Sequence, residues 1–259
     1  MLTGIDHLVI VVQDLESAMQ NYGELGFTMV RGGKHPIGSH NALIAFEDGS
    51  YIEFIAFYEP NTENRWWAHL QAGGGLVDCC AQTDDLKADV KAFREVGVDI
   101  ADIMPLSRLR PDGYKIEWVL SLARGKFQGV VPFLIEDRTP REERVPGDTT
   151  HANQVTGIDT LTVAVDDPDA VRGWYRPVLG MAGETIERPD LDARGVRFRI
   201  GPHTLDFVTP HTKDGTGPLN DRLRDRGSSP FAFTLKTRSG ATGPLDETRT
   251  LGARVALVE

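Results

Sequence analysis

Apolar positions within residues 4–26 form first a continuous run and then a pattern of helical spacing. Residues 8–12 form a continuous run of aliphatic side chains, which is typical of a strand buried on both faces. Asp14 follows this run and suits a helix N-cap, because its carboxylate can accept hydrogen bonds from the free amides of the first turn. Apolar side chains then recur at helical spacing: Leu15, Ala18, Met19 and Tyr22. Gly26 is where this helix is expected to end.

Three short apolar segments follow the predicted helix, with Gly-rich turns between them. They are FTMVRGG at residues 27–33, HNALIAFED at 40–48 and YIEFIAF at 51–57. Each has the length and the residue types of a β-strand. The first part of the chain therefore predicts a βαβββ unit.

The opening phrase of this unit recurs along the chain. GIDHLVIVVQD at residues 4–14 is restated as GIDTLTVAVDD at residues 157–167, and the match continues to Tyr22 and Tyr175. A weaker copy begins at Gly75, and its predicted elements are a strand at 76–82, a helix at 85–96 and strands at 99–105, 114–123 and 130–137. The tail at 230–258 is interpreted as a shortened fourth copy. These repeats predict an α+β protein of tandem βαβββ units.

A segment of mixed charge and proline separates the second copy from the third. It reads DRTPREERVPGDT at residues 137–149, a composition typical of a linker. The prediction is a first domain at residues 1–140, made of two units. A second, degenerate domain is predicted at residues 151–259, made of one unit and the shortened copy.

Charge and composition narrow the classes of partner. The 259 residues carry a formal net charge of −10, which argues against nucleic acid or an anionic membrane and favours a small-molecule ligand. No apolar stretch approaches the roughly 20 residues of a membrane span, and the N-terminal run lacks the flanks of a signal peptide. The two cysteines, Cys79 and Cys80, are adjacent and would point to opposite faces of a strand, which excludes a disulfide framework. A cytoplasmic location is expected.

The paired units resemble the vicinal oxygen chelate superfamily, through GIDHLVI on the first strand and YIEF on the fourth. That group includes glyoxalase I, extradiol dioxygenases, fosfomycin-resistance transferases and bleomycin-binding proteins. The longer phrases are similar to its glyoxalase-like branch: IDHLVIVVQDL, GSHNALIAFEDGSYIEFIAF, RPDGYKIEWVL and VVPFLIED. The resemblance implies paired, cupped mixed β-sheets whose concave face holds a divalent metal. Ligands would come from the first and fourth strands of each unit, and the metal would take two neighbouring substrate oxygens.

Residues at the four implied metal positions match this pattern in part. His7 stands at the first-strand position and Glu53 at the fourth-strand position of the first unit. In the second unit Asp78 stands where a second His is expected, and Pro132 stands where a Glu is expected and cannot bind a metal. The resulting metal set is His7, Glu53 and Asp78 around one Mn, Fe, Ni or Zn ion, with an empty site as the alternative.

The second domain carries fewer of these residues. Thr160 replaces the first-strand His, and Asp206 stands alone at the Glu position. One carboxylate without a partner is a poor metal site, so this domain is expected to be structural or to cover the cup.

Other polar and aromatic residues are candidates for substrate binding. His40 and Asn41 lie in a phrase that matches the glyoxalase-like branch, whereas His35 is interpreted as part of a solvated turn. Arg110 precedes a Pro-Asp-Gly turn that does not require it, so it is expected to face an anionic substrate. Trp118 alternates with apolar neighbours and is predicted either to line the pocket or to belong to the core.

These residues support three hypotheses. The first is a metal-assisted lyase, isomerase or dioxygenase-type enzyme that acts on a small oxygenated molecule. The second is a metal-free, resistance-type protein that binds or sequesters such a molecule. The third is a metal-free enzyme that uses Glu53 as a catalytic base, its pKa raised by an apolar cup. Units of this superfamily often pair between chains, so a homodimer is compatible with each hypothesis, although four copies in one chain would also satisfy one another.

Overall fold

The helices of the repeats begin where the chain offers an Asp N-cap. In the computed structural model, which describes residues 1–259, the Asp14 carboxylate accepts a hydrogen bond from the Ser17 amide (2.8 Å). Asp85 and Asp167 cap the corresponding helices of the second and third units in the same way. An Asp at each of these positions satisfies amides that have no partner inside the helix.

The first two units follow the predicted order of elements. The first contains β1 (Leu2–Val11), α1 (Leu15–Glu24), β2 (Val30–Lys34), β3 (Ser39–Ala45) and β4 (Tyr51–Phe57). After the short helix α2 (Trp67–Gln71), the second contains β5 (Gly75–Thr83), α3 (Leu86–Glu95), β6 (Met104–Leu109), β7 (Lys115–Ser121) and β8 (Phe133–Asp137). The strand predicted at 99–105 is displaced to Met104–Leu109. Ile100 and Ala101 are buried in the core and do not join the ladder that begins at Met104.

The eight strands of these units close into a barrel. Their order is β1-β4-β3-β2-β6-β7-β8-β5, with β1 parallel to β4 and antiparallel to β5. The seam between β2 and β6 is one residue pair, Lys34 opposite Leu109. The predicted cup is therefore confirmed, and the pairing of β2 with β6 completes it as a closed barrel.

The remainder of the chain forms a second, open sheet. After α4 (Arg141–Arg144) come β9 (Val155–Ala164), α5 (Pro168–Leu179), β10 (Glu184–Arg188), β11 (Ala193–Ile200), β12 (His203–Pro210), α6 (Pro218–Arg226), β13 (Ser229–Thr237), β14 (Gly243–Pro244) and β15 (Arg254–Val258). Its seven strands run in the order β10-β11-β12-β9-β13-β15-β14. Strand β9 is parallel to β12 and antiparallel to β13, which repeats the pairing of β1. None of the helices is long and apolar enough to cross a membrane.

One apolar core of 47 buried residues is shared by the two sheets and by helices α1, α3 and α5. A second cluster of 12 buried residues lies inside the barrel. Along β1, Leu8 and Ile10 belong to the shared core, whereas Val9 and Val11 belong to the barrel interior. This two-sided burial explains the continuous apolar run of the first strand.

The segment at residues 137–149 is more ordered than its linker-like composition predicts. Asp137 is the last residue of β8, and the single turn of α4 follows. Arg144 is buried, and its guanidinium bonds to Asp6 at the base of β1. The charge of Arg144 is therefore part of the barrel, whereas other charges of the segment, such as that of Arg138, stay exposed.

Candidate active site

A cavity of about 420 Å³ opens inside the barrel. Eleven of its 20 lining residues are hydrophobic, including Leu106, Trp118 and Phe133. The polar side chains in its wall include His7, His35, Glu53 and Arg108. Apolar walls with a few polar groups are typical of a small-molecule site of this size.

His7 connects a buried carboxylate to the cavity. Its Nδ1 lies 2.7 Å from Asp6 Oδ1 and its Nε2 lies 3.3 Å from Glu53 Oε2. A register shift between Ile5 and His7 in the β1–β5 ladder allows two consecutive polar side chains to share this position. Burial opposes the charged imidazole, but the bonds to Asp6 and Glu53 raise the pKa of His7. The imidazole is therefore held in one orientation by two carboxylates.

Asp6 is fixed in turn by two arginines of the α4 segment. Arg144 donates from Nη1 to Asp6 Oδ1 (2.9 Å) and from Nη2 to Oδ2 (3.0 Å), and Arg141 also pairs with Oδ2. Arg144 bonds in addition to Asp137 and to the Tyr51 hydroxyl. Despite full burial, the charge of Arg144 and the His7 bond hold the pKa of Asp6 well below its usual range.

Glu53 is ionised inside the cavity. Asn41 donates a hydrogen bond to Oε1, and His35 Nε2 lies 3.9 Å from the same oxygen. Burial would raise the pKa of Glu53, but the bond and charge of His7, with help from His35 and Asn41, lower it to about 2. Burial lowers the pKa of His35 to about 4, which leaves that ring neutral near pH 7. The expectation that an apolar cup raises the pKa of Glu53 is therefore wrong, because the cup surrounds it with donors.

Arg108 of β6 completes the polar wall. Its guanidinium donates from Nη2 to the Arg144 carbonyl (2.8 Å) and from Nη1 to Asn41 Oδ1 (3.4 Å), while its Nε has no partner. Gly32 of β2 leaves the space for this arrangement, since a Cβ there would lie 2.2 Å from Asn41 Oδ1 and 2.6 Å from Arg108 Nη1. Hydrogen bonds thus connect His7, Glu53, Asn41 and Arg108 in one network.

The structure brings some of the predicted site residues together and separates others. The cavity is lined by His7, Glu53 and Trp118. Asn41 lies outside the lining and donates a hydrogen bond to Glu53. His40 is the neighbour of Asn41 on β3 and faces the other side, next to Tyr58. Arg110 lies in the β6–β7 turn, paired with Asp112 and Glu143, and is not part of the cavity wall.

Arg108 and His35 are residues of the wall that the sequence analysis did not assign to the site. Arg108 lies two residues before Arg110, and the alternation of side chains along β6 was the signal that could have assigned it to the interior. His35, interpreted as a turn residue, is buried in the wall next to Trp118. Nothing in the local sequence pattern distinguishes it from a solvated turn residue.

The donor set does not fit the metal centre that the resemblance implies. Asp78 does not line the cavity, because its carboxylate accepts from the Trp66 indole (2.9 Å) and lies 3.0 Å from the Arg65 guanidinium. Matching Asp78 to His7 places Phe133, rather than Pro132, at the counterpart of Glu53, since Glu53 lies opposite Val9 and Phe133 opposite Cys80. Phenylalanine has no donor atom. His7 and Glu53 are then two ligands. The neutral His35 ring is a further donor in the wall, with Nε2 3.9 Å from Glu53 Oε1, but no three ligand atoms that include Glu53 lie within 4.8 Å of one another. Catalytic zinc sites keep three protein ligands around one ion.

A second group of potential ligand atoms is also unsuitable. Asp6, His7 and Cys80 each place one such atom within 4.8 Å of the others. Both Asp6 oxygens, however, are occupied by His7, Arg141 and Arg144. Burial raises the pKa of the Cys80 thiol well above its usual range, so this sulfur is a protonated, poor ligand.

The second sheet contains no comparable open centre at the matching position. Asp206 lies opposite Thr162, as Glu53 lies opposite Val9 in the barrel. Its carboxylate is fully buried and is neutralised by Arg188 (3.2 Å) and Arg197 (2.7 Å). This carboxylate therefore holds strands β10, β11 and β12 together.

Comparison with known proteins identifies a family and several similar structures. The sequence model of the glyoxalase-like domain matches residues 5–179. A protein of Staphylococcus aureus, described as hypothetical, has a TM-score of 0.70 at 14% identity, with 98% of each chain covered. None of the curated proteins matches.

Two further solved structures share the fold. A mutant of 4-hydroxymandelate synthase from Streptomyces coelicolor has a TM-score of 0.65 at 15% identity, covering 97% of this chain and 74% of that one. A xylose isomerase-like TIM barrel/4-hydroxyphenylpyruvate dioxygenase fusion protein has a TM-score of 0.53 at 17% identity, covering 92% of this chain and 37% of that one. At these identities the similarity describes the fold alone.

Proposed function

The chain belongs to the glyoxalase-like domain family, and we propose that it is a lyase- or isomerase-type enzyme that acts on a small oxygenated molecule without a resident metal ion. The observation that carries this proposal is the Asp6–His7–Glu53 chain, which ends at the wall of the cavity. A carboxylate that orients an imidazole toward a second titratable group is an arrangement suited to proton transfer.

In this mechanism His7 acts first on a substrate oxygen. Its Nε2–H, which faces Glu53 in the free protein, donates to that oxygen and stabilises the negative charge that develops on it. Glu53 thereby loses the hydrogen bond that contributes to its low pKa. The carboxylate becomes more basic when substrate is bound, and it removes a proton from the carbon next to the carbonyl carbon. The electron pair of that C–H bond moves onto the oxygen held by His7, which gives an enolate.

A dioxygenase-type reaction does not suit this donor set. It would use a metal ion, and the donor atoms of His7, His35 and Glu53 do not form a group within 4.8 Å of one another, while Asp78 is paired to Arg65. The fold similarity to 4-hydroxymandelate synthase supports the scaffold and not the reaction.

A metal-free sequestering protein is the second candidate. The observation that favours it is the pKa of Glu53, about 2 in the free protein, which makes this carboxylate a weak base until a ligand changes its surroundings. The twelve-residue apolar cluster inside the barrel would retain a ligand with or without chemistry.

Proton exchange separates the candidates. Small 2-hydroxy acids, 2-oxo acids and neutral hydroxy ketones are incubated with the protein in D₂O, and NMR records binding and deuterium incorporation at the carbon next to the carbonyl or carboxyl carbon. We expect exchange with the wild type, no exchange with Glu53→Gln despite retained binding, and normal exchange with Glu117→Gln, which alters an exposed carboxylate on β7.

Two other outcomes would contradict the proposal. Binding without exchange in every case would favour the sequestering protein. Exchange that needs about one metal ion per chain, measured in the same samples, and that is lost on chelation would favour the metal-assisted enzyme.

A further inference from the structure

Arg108 is a buried cation without a carboxylate partner. Its side chain is 4% exposed, and no carboxylate oxygen lies within 4.0 Å of its guanidinium. The other guanidinium groups of the cavity wall are compensated, because Arg144 pairs with Asp6 and Asp137 and Arg65 lies 3.0 Å from Asp78. Removing a charge from water without pairing it is costly. The free state of the protein therefore retains an unsatisfied positive charge in the cavity.

The hydrogen bonds of Arg108 are also incomplete. Its contacts are the Arg144 carbonyl and a long bond to the Asn41 amide oxygen, and both acceptors are uncharged. Its buried Nε has no acceptor at all. A guanidinium presents its donors in a planar fork that matches the two oxygens of a carboxylate. A ligand carboxylate in the cavity would supply the missing negative charge and a charged acceptor for this guanidinium.

The rest of the wall determines what such a carboxylate is attached to. Leu106 and Trp118, from β6 and β7, line the same cavity as Arg108, and Phe133 of β8 lines it as well. These side chains offer no charge to a ligand. At about 420 Å³ the cavity is of the size that holds a small organic molecule. The ligand is thus expected to combine one anionic group with an apolar body.

We propose that this cavity is a receptor for small apolar carboxylates, with Arg108 as the group that binds the carboxylate. The inference rests on the proposed function and deepens it by naming the ligand class. Asn41 accepts from Arg108 and donates to Glu53, so a carboxylate on Arg108 lies beside the His7–Glu53 pair. Arg108 is a positioning residue in this arrangement: it places the oxygen-bearing carbon of the ligand next to the groups that transfer the proton.

A matched pair of probes tests this assignment. Hydrocinnamate and hydrocinnamyl alcohol share one apolar body and differ in their charge, and calorimetry at neutral pH measures their affinities. We expect the wild type to bind the carboxylate at least about tenfold more tightly than the alcohol, as for a hydrogen bond to a charged group. Arg108→Met should bind the two equally. Arg110→Met, which removes a guanidinium outside the cavity, should keep the full preference.

Arg108→Lys covers the case in which Arg108→Met fails to fold, as judged by circular dichroism. It keeps the charge but loses the planar fork, so the preference should fall while the affinity for the alcohol stays constant. An unchanged preference in a folded Arg108 variant would overturn the inference. So would a wild type that binds neither probe or binds both equally.

The inference and the proposed function fail separately. Glu53→Gln should abolish proton exchange and keep the preference for the carboxylate. If no ligand undergoes exchange but the preference depends on Arg108, the protein is a receptor without the proposed chemistry. If exchange occurs with neutral hydroxy ketones and the preference is absent, the chemistry stands and the ligand class is wrong.

Discussion

At the scale of single residues, the Asp6–His7–Glu53 chain shows how charge is held in a buried site. Each group favours the ionised state of its neighbour, and burial opposes all three. The energetic consequence is a dependence of stability on pH, because the pKa values of His7 and Glu53 differ between the folded and unfolded chain.

The sign of this dependence differs between the two residues. The pKa of His7 is raised in the folded protein, so its contribution to stability is complete below its ordinary value and is lost as pH rises through the raised value. The pKa of Glu53 is lowered to about 2, so its contribution is present above its ordinary value and is lost as pH falls toward 2.

We therefore expect the free energy of unfolding to decrease as pH rises above the ordinary His value, and His7→Gln to remove this decrease. Denaturant unfolding at a series of pH values measures both. His211→Asn, which alters an exposed imidazole, is the control and should follow the wild type. A slope that persists unchanged in His7→Gln would contradict the assignment of His7.

The sequence placed His7 and Glu53 on strands that line the cavity, whereas Asp78 and His40, also on strands, lie outside its wall. His7 and Glu53 reach the cavity because their strands are the first and fourth of the repeat, a relation visible in the chain itself. Arg110 and Arg108 show the limit. Both are basic and, two residues apart, would share one face of a continuous strand. Strand β6 ends at Leu109, so Arg110 lies in the turn and Arg108 alone faces the cavity.

At the scale of elements, α4 and the end of β8 stabilise the base of the barrel. Arg144 links Asp6 of β1, Asp137 of β8 and the Tyr51 hydroxyl of β4. Strands β1 and β4 belong to the first unit and β8 to the second. The four-residue helix α4 thus connects the two units through the side-chain hydrogen bonds of Arg144.

Arg144→Met should be strongly destabilising, because it leaves Asp6 buried without its main cationic partner. We expect a loss of about 3–5 kcal/mol in the free energy of unfolding, as for breaking a buried ion pair. Arg138→Met is the matched control, since Arg138 is exposed and pairs with Glu136 at the surface, and it should cost less than about 1 kcal/mol. Equal effects in chemical denaturation would show that the Arg144 network contributes little.

At the scale of the whole molecule, the two sheets are joined by a common core. Tyr22 and Tyr175 occupy equivalent positions in the repeat, and each hydroxyl donates across the junction. Tyr22 bonds to the Thr250 carbonyl (3.1 Å) and Tyr175 to the Val130 carbonyl (2.8 Å). The division at residues 140–151 that the sequence predicts is therefore a boundary in the repeat with an extensive apolar contact across it.

This shared core leads us to expect one cooperative unfolding transition for the whole chain. A fragment of residues 1–149 should be less stable than the full chain by more than about 3 kcal/mol, because it exposes several apolar side chains that the second sheet covers. Thermal and denaturant unfolding of both proteins test this. A fragment with the stability of the full chain would show that the barrel is independent.

The repeat and the order of elements could be predicted from the chain alone, because they depend on local periodicity and capping. The family was indicated by the resemblance of phrases such as GIDHLVI and YIEF. The sequence also placed His7 and Glu53 on the two strands that meet in the barrel. The sequence left open whether these two residues bind a metal ion together with Asp78 or act without one.

Which side chains meet in the cavity, and how their charges are paired, could be read from the tertiary structure but not from the sequence. Asp78 is at the expected place in the repeat, but Arg65 and Trp66 occupy its carboxylate from a loop whose position no periodicity specifies. Arg108 lacks a carboxylate partner because Asn41 and Gly32, from neighbouring strands, form its surroundings. Charge compensation depends on distances between residues that are far apart in the chain, so it can be assessed only from the folded barrel.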